Sequence, residues 1–252
     1  MTETFERHLR FGSVMNFRDI GGYPARRGRT VAWRRVYRSG EFRNLTREDL
    51  HRLTKELRVG CVIDLRSDFE VKKHGNGLLA EAGLKYHNII FMANGGDPEA
   101  NAKRYEHCTN MGEFYIELVQ QKEYGRKIVE ALEVIAEPEN YPLVFHCAVG
   151  KDRTGMLAAM LLSLLGVGNA DIIEDYTLSE PYMDELLARL KNNPPKNDPP
   201  LDIPDYFWKA PAESMKLLLA MLKKEYGGVA GYLKAMGMPA SLPAQLKKGL
   251  LI

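Results

Sequence analysis

Three short apolar runs stand out along the chain: Val59 to Leu65, Tyr86 to Phe91 and Leu143 to Cys147. Each has the length of a strand, and near-continuous apolarity marks a strand buried on both faces of a parallel sheet. Trp33 to Arg38 alternates weakly and predicts an earlier strand. Between these runs the apolar period lengthens to that of helices. Thr46 with an acid three residues on predicts a helix start, running to about Leu57. A helical stretch is expected over Phe114 to about Ala136, and a buried helix over Gly155 to Leu165 ending near Gly166. Asp171 to Asn192 predicts two helices broken at Pro181. Met215, Leu218, Leu219 and Leu222 share one helical face, a core stripe that Gly227-Gly228 should stop. Asn16 to Tyr23 reads as a turn, because paired glycines follow an aspartate. Strands alternating with helices predict an α/β fold: a central, mainly parallel sheet flanked by helices, with a helical C-terminal elaboration. One domain over residues 1–252 is expected, with residues 193–211, rich in proline, as a lid or linker loop.

Composition changes this picture little. The chain has 252 residues, 45% hydrophobic and 27% charged, the balance of an ordinary globular protein. A net charge of +2 calls for no nucleic-acid partner. Its distribution is uneven: residues 1–43 carry ten arginines (7, 10, 18, 26, 27, 29, 34, 35, 38, 43) against Glu3, Glu6, Asp19 and Glu41. That excess would steer an anionic substrate, make transient contact with an anionic membrane surface, or form a solvated basic face. Three cysteines (Cys61, Cys108, Cys147) make no paired framework, which favours a reducing compartment. Met1 to Gly12 lacks an apolar core of the signal-peptide kind, and the longest apolar run, Met156 to Val167, is too short to span a bilayer. A cytoplasmic setting is the expectation, with export by a route that reads no signal as the exception.

The chemistry concentrates where the third apolar run ends. In His146-Cys147-Ala148-Val149-Gly150-Lys151-Asp152-Arg153-Thr154-Gly155 a cysteine stands six positions before an arginine, and an apolar helix follows. A strand, a short loop of backbone N–H groups and a helix N-terminus form a site for a phosphate dianion. Ala148, Val149, Gly150 and Lys151 form that phosphate-binding loop, with Gly150 letting the backbone turn its amides inward. An ordinary thiol has a pKa of about 8.5, but inward amides, the helix dipole and Arg153 all favour the Cys147 thiolate. The planar fork of Arg153 matches two phosphoryl oxygens at once, which lysine cannot do. Thr154 is placed to donate its hydroxyl to the sulfur, and His146 to orient the loop rather than to act as a base.

The reaction this implies runs in two steps through a cysteinyl-phosphate, with no metal or cofactor. A departing alkoxide or phenolate needs a proton. Asp152, beside Arg153, is the first candidate acid; Asp64, at the end of the first apolar run, is the second; Asp205 comes a distant third. Two other classes fit a reactive cysteine: a non-catalytic module that holds phospho-ligands, and a thiol redox or sulfur-transfer enzyme. The intact Cys147–Arg153 pair argues against the first. The second would not require Arg153 at this offset, and the chain has no Cys-x-x-Cys.

His-Cys-x-x-Gly-x-x-Arg-Thr is the signature of cysteine-dependent protein tyrosine phosphatases, and the version here most resembles the atypical bacterial tyrosine and phosphoinositide phosphatases. Asn16-Phe17-Arg18-Asp19-Ile20-Gly21-Gly22 is similar to that family's N-terminal motif, Tyr37-Arg38-Ser39-Gly40 to its second, and Asp64-Leu65-Arg66-Ser67 with Glu70 to its third. Tyr226-Gly227-Gly228 with Tyr232-Leu233 resembles its C-terminal helix pattern. The resemblance implies a sheet-centred phosphatase fold whose partners are phosphorylated proteins, on tyrosine or on serine and threonine, or phosphoinositides. It implies Cys147 as nucleophile, Arg153 as phosphate ligand, and Lys151 as a contact for a second phosphate or a lipid headgroup. Asp19 and Asp64 become supporting or alternative acids, bracing Arg18, Arg66 or the loop arginine. No Trp-Pro-Asp acid loop precedes Cys147, unlike in eukaryotic tyrosine phosphatases.

Overall fold

A computed structural model describes residues 5–97, 99–100, 103, 107–192 and 204–252. Its strands are β1 (Arg18–Asp19), β2 (Pro24–Ala25), β3 (Arg29–Thr30), β4 (Val36–Ser39), β5 (Cys61–Asp64), β6 (Lys85–Asn88) and β7 (Leu143–His146). Five of them form one sheet in the order β1-β4-β7-β5-β6, while β2 and β3 form a separate hairpin. β4, β7, β5 and β6 run parallel, and β1 adds antiparallel to β4. The register aligns Ser39, His146, Asp64 and Asn88 in one row at the C-terminal ends. Cys147 therefore leaves the sheet from its central strand, at the edge where α/β folds place their ligands.

Side-chain alternation along the strands divides the core in two. Tyr37, Val62 and Val144 face a smaller cluster with Phe17, Phe42 and Leu53. Val36, Cys61, Ile63, Leu143 and Phe145 face a larger cluster made with the helices. Those helices are α1 (Arg47–His51), α2 (Asp68–His74), α3 (Met111–Gln120), α4 (Lys122–Ala136), α5 (Asp152–Leu165), α6 (Asn169–Thr177), α7 (Glu180–Asn192), α8 (Ala212–Tyr226), α9 (Val229–Ala235) and α10 (Leu242–Leu250). The helix after the loop, α5, is buried on nearly every side because α4, α6, α9 and α10 pack around it. That burial explains its all-round apolar sequence. It ends at Gly166, whose φ of 90° is the left-handed cap glycine accepts readily.

The three apolar runs and the weak Trp33 to Arg38 run all contain strands. Asn16 to Tyr23 is more than a turn, because Arg18 and Asp19 form β1, a buried strand of two charged residues that apolar patterning cannot reveal. The stretch predicted over Phe114 to Ala136 is two helices, since Gln121 is extended (φ −75°, ψ 114°) between them. The later break falls at Leu178-Ser179, and Pro181 sits in the first turn of α7, where its missing N–H costs nothing. Thr46 caps α1 by accepting from the Asp49 amide at 3.1 Å. The Asp49 carboxylate turns away to the Gly12 and Ser13 amides, 2.9 Å each. The helix then continues through a π-helical turn, Arg52–Glu56. α8 buries Met215, Leu218, Leu219 and Leu222 as the stripe predicts, and Gly227 ends it at φ 76°. Within the proline-rich segment, residues 193–203 lie outside the described residues; Asp205–Trp208 forms a 3-10 turn. Among the described residues no helix is long and apolar enough to cross a membrane.

Candidate active site

The loop that follows β7 is shaped from behind. Three successive carbonyls are pulled outward: Ala148 O accepts from the Glu41 amide at 3.1 Å, Val149 O from Asn16 Nδ2 at 3.1 Å, and Gly150 O from Arg38 Nη2 at 2.8 Å. In a trans peptide the N–H opposes the C=O of the same unit, so the amides of Val149, Gly150 and Lys151 face the other way, into the loop. The Gly150 amide shows the result, lying 3.3 Å from Cys147 Sγ and directed at it. Gly150 has φ 77°, and a Cβ there would come within 2.6 Å of the Ser39 carbonyl group. Only glycine meets both demands.

Arg38 and Arg18 are wholly buried behind the loop and share one carboxylate, Asp175. Arg18 Nε donates to Asp175 Oδ1 at 3.1 Å and Arg38 Nη1 to Oδ2, while Tyr23 donates its hydroxyl to Oδ1 at 3.2 Å. Arg18 also donates to Asn16 Oδ1, closing the network onto the residue that holds Val149. Burial opposes the Asp175 charge, but Arg18 and Arg38 outweigh it and hold the carboxyl far below the usual range. Burial in turn lowers Arg38 to about 10. Asp19, expected to brace Arg18, serves the backbone instead: it accepts from the Gly21 and Arg34 amides, at 2.7 Å each. These lie toward the N-terminal end of β4, away from the loop. Burial raises Asp19 to about 6 against those hydrogen bonds.

Arg153 sits at the first turn of α5 and is clamped by Glu70. Nη1 lies 2.5 Å from Glu70 Oε2 and Nη2 lies 2.7 Å from Oε1, a bidentate pair. Glu70 is also the third residue of α2 and closes a capping box with Ser67, accepting from the Ser67 amide at 2.9 Å. One carboxylate thus fixes a helix start and aims the loop arginine. Burial works against its charge, but Arg153 and then Ser67 keep Glu70 below the ordinary range. The pattern Ser67-x-x-Glu70 signals a capping box in the sequence; its grip on Arg153 carries no local signal.

Asp64, the second candidate acid, is fully buried with both oxygens engaged. Arg66 donates to it through Nε and Nη2 (2.7–3.0 Å), and Tyr86 donates its hydroxyl at 2.7 Å. Burial opposes this carboxylate too, but His146 and Arg66 hold it well below the usual range. An acid kept ionised and saturated with donors has no proton to give, so its place is structural. His146 Nδ1 donates to its neighbour's carbonyl, Cys147 O, at 3.3 Å, with Nε2 3.6 Å from Asp64. Burial lowers its pKa against the pull of Asp64, so Arg66 is the lasting counter-charge. His146 braces the loop.

Lys151, the expected contact for a second phosphate or a lipid headgroup, directs its ammonium to the 205–209 turn. It is completely buried, and Nζ donates to the carbonyls of Phe207 and, at 3.0 Å, Lys209. It also lies 4.6 Å from the Phe207 ring centroid and 3.5 Å from Asp152 Oδ1. Burial lowers its pKa, opposed by Asp152. Here its cation is spent on the 205–209 turn, which is also where Asp205 lies. Asp152 begins α5 with its side chain 15% exposed, and Tyr115 donates to its Oδ1 at 2.6 Å. Thr154 is buried in the same turn of helix. Gly150 and Arg153 thus meet the Cys147 sulfur, the one by its amide and the other by its charge. The buried Thr154 hydroxyl, expected to donate to the sulfur, makes no hydrogen bond among the described residues, and Asp19 and Asp64 belong to the frame. Asp175 and Tyr115 escaped the sequence reading, because each is a lone polar residue in an apolar helical face.

The chain matches the tyrosine phosphatase family over residues 9–252. It is 28% identical over 233 residues to a tyrosine-protein phosphatase of Nostoc commune, covering 89% of this chain and 76% of that protein. It is 24% identical over 274 residues to the triple specificity protein phosphatase PtpB of Mycobacterium tuberculosis, covering 94% and 96%. Among solved structures it is similar to the Siw14 catalytic core, with a TM-score of 0.41 and 16% identity over 73% of this chain and 77% of that one.

Proposed function

This chain belongs to the tyrosine phosphatase family and is a cysteine-based phosphatase, and from that premise we propose that Cys147, Arg153 and Asp152 carry its chemistry. In the first step the Cys147 thiolate attacks phosphorus. The S–P bond forms, the P–O bond to the leaving group breaks, and Asp152 gives its proton to the departing oxygen. In the second, Asp152 takes a proton from water, whose oxygen attacks phosphorus; the S–P bond breaks, and thiolate and phosphate result. Arg153 and the amides of Val149, Gly150 and Lys151 bind the equatorial oxygens, where charge spreads in the transition state. The observation that carries this assignment is the trio of outward carbonyls, which leaves an anion cradle above the sulfur. A redox role finds no such use for those amides.

The substrate class we propose is phosphotyrosine, which needs only the loop and Arg153. The triple specificity named for PtpB extends the reading to phosphoserine, phosphothreonine and phosphoinositides. A second phosphate on an inositol ring would have to win Lys151 from the Phe207 and Lys209 carbonyls. The exposed arginines 26, 27, 29, 34 and 35 gather with Lys247 and Lys248 near the N-terminal ends of the strands, since Thr30 and Ala32 pair with Ile252 and Leu250. An anionic membrane bound there would leave the loop facing away from lipid, toward phosphoprotein.

Hydrolysis of p-nitrophenyl phosphate and of a phosphotyrosine peptide in the presence of EDTA tests the reading. Wild type should turn over both, and Cys147→Ser should lose at least about a thousandfold. A Cys147→Ser variant at full rate would reject the assignment.

A further inference from the structure

We infer that Tyr115 is a positioning residue for proton transfer: with Lys151 it occupies Oδ1 of Asp152 and so reserves Oδ2 as the oxygen that gives and receives the proton. The inference rests on the proposed role of Asp152 as the acid.

Tyr115 lies on α3, completely buried, with its hydroxyl 2.6 Å from Asp152 Oδ1 and 2.8 Å from the Tyr176 hydroxyl. A phenol has a single proton to donate, and an ionised carboxylate can only accept. Tyr115 must therefore donate to Asp152, and the proton between the two phenols must belong to Tyr176. Ser214, buried on α8, lies beside the Tyr176 side chain, and from Tyr176 on α6 the hydrogen-bonded chain runs through Tyr115 on α3 to the loop. Burial, followed by the Asp152 charge, lifts the Tyr115 pKa well above that of an ordinary phenol, so it remains a donor at any working pH.

Oδ1 receives the Lys151 ammonium as well, at 3.5 Å. A proton on Oδ1 would meet two donors, so a protonated Asp152 carries it on Oδ2. After the first transfer Asp152 is an anion, and the same two donors stabilise it until it takes a proton from water. Both phenols sit on core helices, with rings edge to face at 6.0 Å and 87°. The acid is thus held from the core, which suits a chain with no Trp-Pro-Asp loop ahead of its cysteine.

The test is the dependence of kcat/KM, which reports phosphoryl transfer to Cys147 and not the later hydrolysis common to every substrate, on leaving group, measured with phenyl phosphate (poor) and p-nitrophenyl phosphate (good). A misplaced acid matters most for the poor leaving group. Tyr115→Phe should lose roughly tenfold on phenyl phosphate and little on p-nitrophenyl phosphate, with inhibition by inorganic phosphate unchanged, since Arg153 and the amides are untouched. Asp152→Asn should move the same way by more. Tyr176→Phe, which keeps the Tyr115–Asp152 bond but removes the donor behind it, should move the slope by less. Equal loss of Tyr115→Phe on both substrates, or no change of slope in either folded tyrosine variant while Asp152→Asn shows one, overturns the inference and leaves Asp152 as the acid. No leaving-group effect in Asp152→Asn overturns both.

Discussion

Asp175→Asn should destabilise this protein more than any single loop substitution, although Asp175 touches no substrate. The change is isosteric and replaces one acceptor oxygen by a donor. Two guanidiniums, Arg18 and Arg38, with side chains 0% exposed, would be left facing an amide. Breaking a buried pair by removing one partner costs about 3–5 kcal/mol, because the remaining charge is uncompensated. Here one carboxylate serves two charges, so the upper part of that range applies. For a chain of this size the loss translates to roughly 6–20 °C in Tm. Function should follow, because Arg38 Nη2 holds the Gly150 carbonyl outward at 2.8 Å. Differential scanning calorimetry gives the stability, and inhibition by inorganic phosphate reports the loop. Arg18→Gln added to Asp175→Asn returns the cluster to its native net charge and should recover part of the loss. A Tm within about 2 °C of wild type, the effect of an ordinary surface substitution, would refute the claim that Asp175 neutralises buried arginines.

Gly150→Ala combines a left-handed backbone with a Cβ 2.6 Å from Ser39 backbone, so phosphate binding measured calorimetrically should weaken at least roughly tenfold; unchanged affinity would contradict the loop geometry. Stability against pH should show two opposed signatures. Asp64, Glu70 and Asp175 have lowered folded-state pKa values, so their contribution is complete above the unfolded-state value of about 4 and is lost as pH falls toward the folded one. Asp19, raised to about 6, does the reverse: its protonated form is favoured in the fold, and stability declines as pH rises from about 4 to about 6. Urea midpoints of wild type and Asp19→Asn at pH 4 and pH 7 should therefore shift in favour of the asparagine variant at the higher pH. Lys151→Met should release the 205–209 turn and speed its amide exchange in mass spectrometry, and unchanged protection there would show that Phe207 and Lys209 do not depend on the ammonium.

The centre of the sheet could be read from the sequence because β5 and β7 are buried on both faces, and their apolar runs say so directly. β6, at the edge, is exposed to half-buried, and its run is apolar mainly in Ile89 and Phe91, which follow the strand. β1 could not be read, since Arg18 satisfies its charge with Asp175 at a separation of 157 residues, and Asp19 turns its carboxylate to the backbone amides of Gly21 and Arg34. The loop was legible for the opposite reason. Its nucleophile, glycine and arginine must fall at fixed offsets for one anion, so their spacing is local. What supports them is not local: Glu70 reaches Arg153 across 83 residues, and Arg38 reaches Gly150 across 112. Lys151 shows the limit of motif reading. Its position in the loop suggests a ligand contact, but its surroundings bury it against the 205–209 turn.

The most direct test of the account is to trap the phosphorylated enzyme. Rapid acid quench of Asp152→Asn during turnover of p-nitrophenyl phosphate, followed by peptide mass spectrometry, should find a phosphoryl group on Cys147, because slow dephosphorylation lets the adduct accumulate. The same quench of Cys147→Ser should find none and no turnover. A phosphoryl group on any other side chain, or steady turnover from Cys147→Ser, would contradict the assignment of Cys147 as the nucleophile.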